Sequence, residues 1–205
     1  MEKTKVLIVD DHAIVRMGMV ALLNAQSDME VVGEAKNGEQ GVKAAFRLKP
    51  DVAVIDILMP VKNGIEATRE IVASQPLTKV LVMTTSTSAD ELAEALEAGA
   101  TGIIPKTCSY AAFLNAIRSV AAGKRTVTAE IDEIIANDPP VKGLTDHQLN
   151  MLASIVRGLS NTEIAKQFGV SLNTVRKTTS TIFAKLGAAN RTEATAIAMR
   201  KHLLK

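Results

Sequence analysis

Short, nearly continuous apolar runs alternate with amphipathic stretches over the first 122 residues. Runs at 5–9, 29–34, 52–55, 79–84 and 101–105 are rich in Val, Ile or Met. Each is too short for a buried helix and has the pattern of a parallel strand covered on both faces. Between the runs, apolar residues recur at one-face helical spacing, as in Val15, Met19 and Leu22, then Leu92, Ala95 and Leu96, then Phe113, Ala116, Ile117 and Val120. Ser88 followed by Glu91 marks a helix start by reciprocal capping. Five strands alternating with five helices predict an α/β domain with a doubly wound parallel sheet and right-handed crossovers.

The periodicity lapses after Gly123 and resumes at Leu144, and the breakers Asp138, Pro139, Pro140 and Gly143 fall in the gap. Residues 123–143 are therefore expected to form a linker. A short helix over 129–136 fits within it, although its mixed charge offers no firm packing face. The remainder predicts four short helices, with capping signals at Ser160 to Glu163 and at Asn190 to Glu193. Gly169, Val170 and Ser171 make a tight turn, after which Ser171 caps a helix with apolar positions at Leu172, Val175, Ile182, Phe183 and Leu186, of which all but Phe183 are expected in the core. Helix, glycine-bearing turn and helix form the helix-turn-helix unit. The predicted domains are 1–122 and 144–205.

With 205 residues, 47% hydrophobic and 22% charged, the composition is that of a globular chain of two modest domains. No apolar stretch approaches the roughly 20 residues of a membrane span, and the N-terminus runs straight into a strand pattern, so a cytoplasmic location and no membrane partner are expected. Cys108 is the single cysteine, without partners at zinc-ligand spacing, and is read as a bystander. The net charge of +2 hides an asymmetry: from Leu144 onward nine basic residues face three acids, giving +6 there and −4 in the rest. A basic small domain joined to an acidic larger one suggests a nucleic-acid partner. Aromatics are only 2% and Trp is absent, which argues against RNA or single strands recognised by base stacking.

The chemistry is concentrated at the strand ends. Asp10 and Asp11 end the first apolar run, Asp56 ends the third, Thr84 closes the fourth and Lys106 follows the fifth. Parallel strands gather such residues at their carboxyl edge, where open α/β sheets bind ligands. One Asp at a strand end is commonly a helix cap; three acids with a hydroxyl and an amine are a phosphoryl-handling set. Clustered carboxylates resist ionising together unless a cation sits among them, and a hard divalent ion with oxygen ligands, most simply Mg²⁺, resolves the conflict. A haloacid-dehalogenase type of hydrolase would need Asp-x-Asp on the first strand, which Asp10-Asp11-His12 does not provide.

These positions, together with Met59-Pro60, Gly64 and Gly99-Ala100-Thr101-Gly102 before Lys106, resemble the flavodoxin-like receiver domain of two-component response regulators over residues 1–122. The resemblance implies that Asp56 is the phospho-acceptor for a sensor histidine kinase. It also implies that Asp11, Asp56 and the Leu58 backbone carbonyl hold Mg²⁺, that Asp10 holds a metal-bound water, and that Thr84 and Lys106 bind phosphoryl oxygens. Phosphate is accepted and lost without the protein being an enzyme in the ordinary sense. Receivers usually carry an aromatic residue three positions before the lysine, and here that position is Ile103. A regulator that works without phosphorylation, using the receiver as a scaffold, is the alternative that Ile103 favours.

Residues 144–200 resemble the LuxR-type helix-turn-helix of the NarL/FixJ subfamily, through Leu144-Thr145, Gly158-Leu159-Ser160-Asn161, Glu163-Ile164-Ala165, Thr174-Val175-Arg176, Lys185-Leu186-Gly187 and Asn190-Arg191-Thr192-Glu193. The resemblance implies double-stranded DNA as partner, with the helix over about 172–186 in the major groove. Arg176 and Lys177 are the expected base readers, and Ser180, Thr181 and Lys185 the expected phosphate contacts. His147-Gln148 replaces the usual Arg-Glu, and Thr178 a usual histidine. The thinner positive face predicts modest, salt-sensitive affinity per monomer and a homodimer on paired half-sites.

Overall fold

A computed structural model describes residues 3–137, 143–201 and 203–204. The chain divides into two compact units, Met1–Pro139 and Pro140–Lys205. In the first, the elements run β1 (Thr4–Val9), α1 (Ala13–Asn24), β2 (Met29–Ala35), α2 (Gly38–Leu48), β3 (Val52–Ile55), α3 (Gly64–Ser74), β4 (Lys79–Thr84), α4 (Ala89–Glu97), β5 (Gly102–Pro105) and α5 (Tyr110–Ala121). All strand pairs are parallel, in the order β2-β1-β3-β4-β5 with a sixth strand, β6 (Thr126–Val127), beside β5.

Alternation along each strand builds two cores. Leu7, Val9, Ala53, Ile55, Val80, Val82 and Ile103 face one layer of helices, while Val6, Ile8, Val52, Val54, Leu81, Met83 and Ile104 face the other. Both faces are covered, which is why the strands read as continuous apolar runs. The strand order reverses between β1 and β3. Loops diverge there and leave a crevice at the carboxyl edge, and the acids that end these two strands stand beside it.

The expected linker is shorter than its pattern suggested. Thr126–Val127 forms a sixth strand, β6, paired with β5 through Gly102↔Thr126 and Ile103↔Val127, and Ala129–Asn137 forms α6. Ile131 is buried, and Ile134 and Ile135 pack against the same core as Ile103 and Leu92. These three isoleucines form an i, i+3, i+4 stripe that the surrounding acids obscured. Two residues of strand are too few to show a period. The breakers at 138–140 lie outside the described residues.

The second unit holds α7 (Asp146–Val156), α8 (Asn161–Phe168), α9 (Leu172–Leu186) and α10 (Arg191–Arg200). Met151, Leu152, Ile155, Ile164, Val175, Ile182 and Ala194 form its core. Reciprocal capping boxes start α7, through Thr145 and Gln148, and α8, through Ser160 and Glu163. Gly169 (φ 64°) and Gly187 (φ 68°) end α8 and α9 in the left-handed conformation that glycine adopts without strain. Leu172, expected in the core, is 38% exposed because it occupies the first turn of α9, ahead of the buried stripe that begins at Val175. Among the described residues no helix is long and apolar enough to cross a membrane.

Candidate phosphoryl site and nucleic-acid interface

The ends of β1, β3 and β5 bring Asp10, Asp56 and Lys106 together. Lys106 Nζ lies 2.7 Å from Asp10 Oδ2 and 2.7 Å from Asp56 Oδ2. Both acids are almost fully buried. The backbone explains the placement: Asp56 N donates to Val9 O (2.9 Å) and Asp10 N to Ala35 O (3.1 Å), so each acid continues its strand's pairing by one residue. Gly64 then lets α3 start against the acceptor loop. A Cβ at that position would stand 1.9 Å from the Asp56 carbonyl oxygen, a distance no side chain tolerates. In the same loop Val61 has φ 72°, a costly conformation for a β-branched residue.

Burial pushes the Asp56 carboxyl up; the Lys106 hydrogen bond and charge oppose this, the nearby Asp10 charge adds to it, and the net shift is upward. For Lys106 burial alone works against the charged form, yet hydrogen bonds to Asp10 and Asp56 and their charges outweigh it and raise its pKa. Asp11 is the outermost acid, and Asp10, Asp11, His12 and Asp56 each offer a ligand atom within 4.8 Å of the others. Three carboxylates against one ammonium leave excess negative charge in a pocket with hard oxygen donors. That donor set fits a hard divalent cation such as Mg²⁺.

Thr84 is buried at the end of β4. Its hydroxyl accepts the Ser86 N–H at 2.9 Å, which leaves its own O–H to donate, and its carbonyl receives the Lys106 N–H at 2.8 Å. Leu58 is half exposed in the loop after β3, its N–H 3.4 Å from Asp56 Oδ1. Ile103 is fully buried in the aliphatic layer shared with α4 and α6, so no aromatic ring occupies that place. Burial raises the Cys108 thiol pKa, consistent with a bystander.

Two residues near the acids escaped the sequence reading. His12 Nδ1 lies 2.7 Å from Asp11 Oδ1, and Arg16 Nη1 donates to the Asp10 carbonyl at 2.7 Å while Nε stands 3.5 Å from Glu34 Oε2. The available signal was proximity: His12 follows the acid pair, and Arg16 sits one helical turn further along.

On α9, Arg176, Lys177, Ser180 and Thr181 are exposed, away from the buried stripe of Val175, Thr179, Ile182 and Leu186. The other expected phosphate contact is tied inward. Lys185 Nζ donates to the Gly143 carbonyl and, at 2.9 Å, to Gln148 Oε1. The Thr181 hydroxyl donates to the Lys177 carbonyl at 3.0 Å. Arg191 is also structural, donating to the Ile155 and Leu159 carbonyls at 2.8 and 2.5 Å.

Residues 6–118 match the model of the response regulator receiver domain, and residues 142–198 that of the bacterial regulatory proteins of the luxR family. The chain is 35% identical over 208 residues to the transcriptional regulatory protein LiaR of Bacillus subtilis, covering 98% of this chain and 99% of the relative. It is 36% identical over 205 residues to the response regulator protein VraR of Staphylococcus aureus, covering 98% of each. Among solved structures, the response regulator ChrA of a heme-sensing two-component system aligns over both full chains with a TM-score of 0.58 and 31% identity. The RcsB–DNA complex aligns over 98% of this chain and 99% of that one with a TM-score of 0.68, at 22% identity a likeness of fold alone. With both family models matched in order along the chain and these relatives covered over nearly their whole length, the chain belongs to the two-component response regulators that regulate transcription through a LuxR-type DNA-binding domain.

Proposed function

We propose that a sensor histidine kinase transfers a phosphoryl group to Asp56, and that the modification changes how the two domains are arranged and promotes homodimers on double-stranded DNA. The observation that carries this reading is Lys106 Nζ at 2.7 Å from both Asp10 and Asp56. An Asp56 oxygen attacks phosphorus, and the donor's P–N bond breaks as the new O–P bond forms. Lys106 and the Thr84 hydroxyl then hold the phosphoryl oxygens, and positioning with charge neutralisation carries most of the catalysis in such transfers. Asp11, Asp56 and the Leu58 carbonyl would hold Mg²⁺, with Asp10 acting through a water; bound there, the ion offsets the carboxylate and phosphoryl charge.

The modification replaces the single carboxylate charge by an acyl phosphate of roughly −2, a net gain of about one negative charge beside Thr84. A cavity of about 180 Å³ lies between the Thr84–Thr87 segment and Glu130, Ile131 and Ile134 of α6. The segment has room to move against the helix that leads toward the second domain. Ile103 supports a second reading, a scaffold receiver that takes no part in signalling. In the helix-turn-helix, Arg176 and Lys177 read base edges and Ser180 contacts phosphate, with Thr181 and Lys185 contributing only where their internal hydrogen bonds open. The cytoplasm, where such kinases present their phosphohistidine, is the proposed location.

The test measures oligomeric state and operator affinity with and without acetyl phosphate and Mg²⁺, for the unaltered chain and for Asp56→Asn. A tighter, more dimeric complex only when Asp56 is present and phosphorylated supports the proposal. Equal affinity in all four cases supports the scaffold reading.

A further inference from the structure

Asp10 is gripped at its N–H, at both carboxylate oxygens and at its carbonyl. Its N–H donates to Ala35 O on β2 (3.1 Å), Oδ1 accepts the His12 N–H (2.8 Å), and Oδ2 pairs with Lys106 Nζ (2.7 Å). The carbonyl is held from α1: Arg16 Nη1 donates to it at 2.7 Å, a charge-assisted bond at the short end of its range. That carbonyl belongs to the planar peptide joining Asp10 to Asp11, so holding it fixes the plane from which the Asp11 side chain departs.

The surroundings of Arg16 suit it to this grip. It stands one turn before Met19 on the buried face of α1, and its side chain is only 17% exposed. β1 pairs with β2 through Ile8↔Glu34, and Ile8 shares a core with Met19, so Glu34 comes to the α1 side of the sheet. There Glu34 Oε2 stands 3.5 Å from Arg16 Nε. One planar guanidinium therefore meets a β1 carbonyl and a β2 carboxylate together, which a single ammonium does not reproduce.

Resting on the acid-pocket reading above, we infer that Arg16 is a positioning residue for Asp11: through the 10–11 peptide it aims the outermost carboxylate of the pocket at the cation, and Glu34 orients the guanidinium. Groups that orient metal ligands without touching the ion change affinity about 10- to 100-fold when removed. The sign of the effect separates this role from two others. A guanidinium acting through its charge alone repels a cation, so its loss would tighten binding. One that only ties α1 to the sheet would lower the melting temperature and leave the affinity of the folded chain unchanged. Loss of positioning weakens binding.

The test is calorimetric titration of the full chain with Mg²⁺, for the unaltered protein, Arg16→Met and Arg16→Lys, with melting curves in chelator to establish folding. Arg16→Met keeps the apolar stem and removes every donor, and it should weaken Mg²⁺ binding about tenfold. Arg16→Lys keeps stem and charge, so it carries the test if the Met variant does not fold. It should weaken binding at least about threefold, because one ammonium cannot serve both Asp10 and Glu34. Unchanged or tighter binding in either folded variant overturns the inference while leaving the acid pocket standing. No saturable Mg²⁺ binding to the unaltered chain, or binding that survives Asp11→Asn undiminished, overturns the pocket and this inference together.

Discussion

Lys106 and Asp56 are joined by a 2.7 Å ion pair although they are 50 residues apart in sequence, and the same ammonium holds Asp10 at an equal distance. Removing the ammonium leaves two buried carboxylates facing each other. Lys106→Met should destabilise the receiver by about 3 kcal/mol in the presence of a chelator, the usual cost of stranding a buried charge. Added Mg²⁺ should recover part of that loss. Urea unfolding with and without Mg²⁺ checks both.

The raised Asp56 pKa has a definite sign in stability. The unfolded chain ionises this carboxyl near its ordinary value of 3.8, while the folded chain holds its proton to higher pH. Between those two values folding takes up a proton, so the group's contribution to stability is greatest in acid and is lost as pH rises through the folded value. Asp56→Asn, which cannot ionise, should gain stability relative to the unaltered chain as pH rises from the ordinary value of 3.8 toward neutrality in chelator. A series of urea midpoints over that range measures the change; a gain that shrinks with rising pH would contradict it.

Ile131 ties α6 to the receiver core. Ile131→Ala should cost about 2–5 kcal/mol, the range for deleting a buried isoleucine down to Ala, and the loss should appear in the unfolding of the first domain. If 126–137 were a solvated linker, the same substitution would change stability by no more than about 0.5 kcal/mol.

That contrast shows what the sequence carries. The strands, the helix periods and the meeting of Asp10, Asp11, Asp56 and Lys106 at one sheet edge were legible, because buried parallel strands and one-face helices leave strong periods in the residue order. β6 and α6 were not: one is two residues long, and the stripe of Ile131, Ile134 and Ile135 is interleaved with Glu130, Asp132 and Glu133. His12 was hidden for a different reason, since a ring that turns back toward the preceding residues leaves no spacing pattern. The hydrogen bonds of Lys185 were not legible either, because its partners, Gly143 and Gln148, come from a segment about 40 residues away.

The face of α9 yields a graded expectation. Arg176→Ala combined with Lys177→Ala should remove operator preference, each lost base contact costing about 1–3 kcal/mol. Lys185→Gln should lower DNA affinity less than either single change, because its ammonium is already engaged within the domain. Binding measured on operator and scrambled duplexes over a salt series separates base reading from phosphate contact. Unchanged sequence preference in the double variant would remove the proposed base readers.

Direct labelling shows most sharply whether Asp56 takes the phosphoryl group. The chain is incubated with acetyl phosphate and Mg²⁺, and the labelled peptide is located by mass spectrometry after trapping. One label is expected on the peptide holding Asp56, absent in Asp56→Asn and reduced in Lys106→Met. Equal labelling of Asp56→Asn, or no label on the unaltered chain, would contradict it.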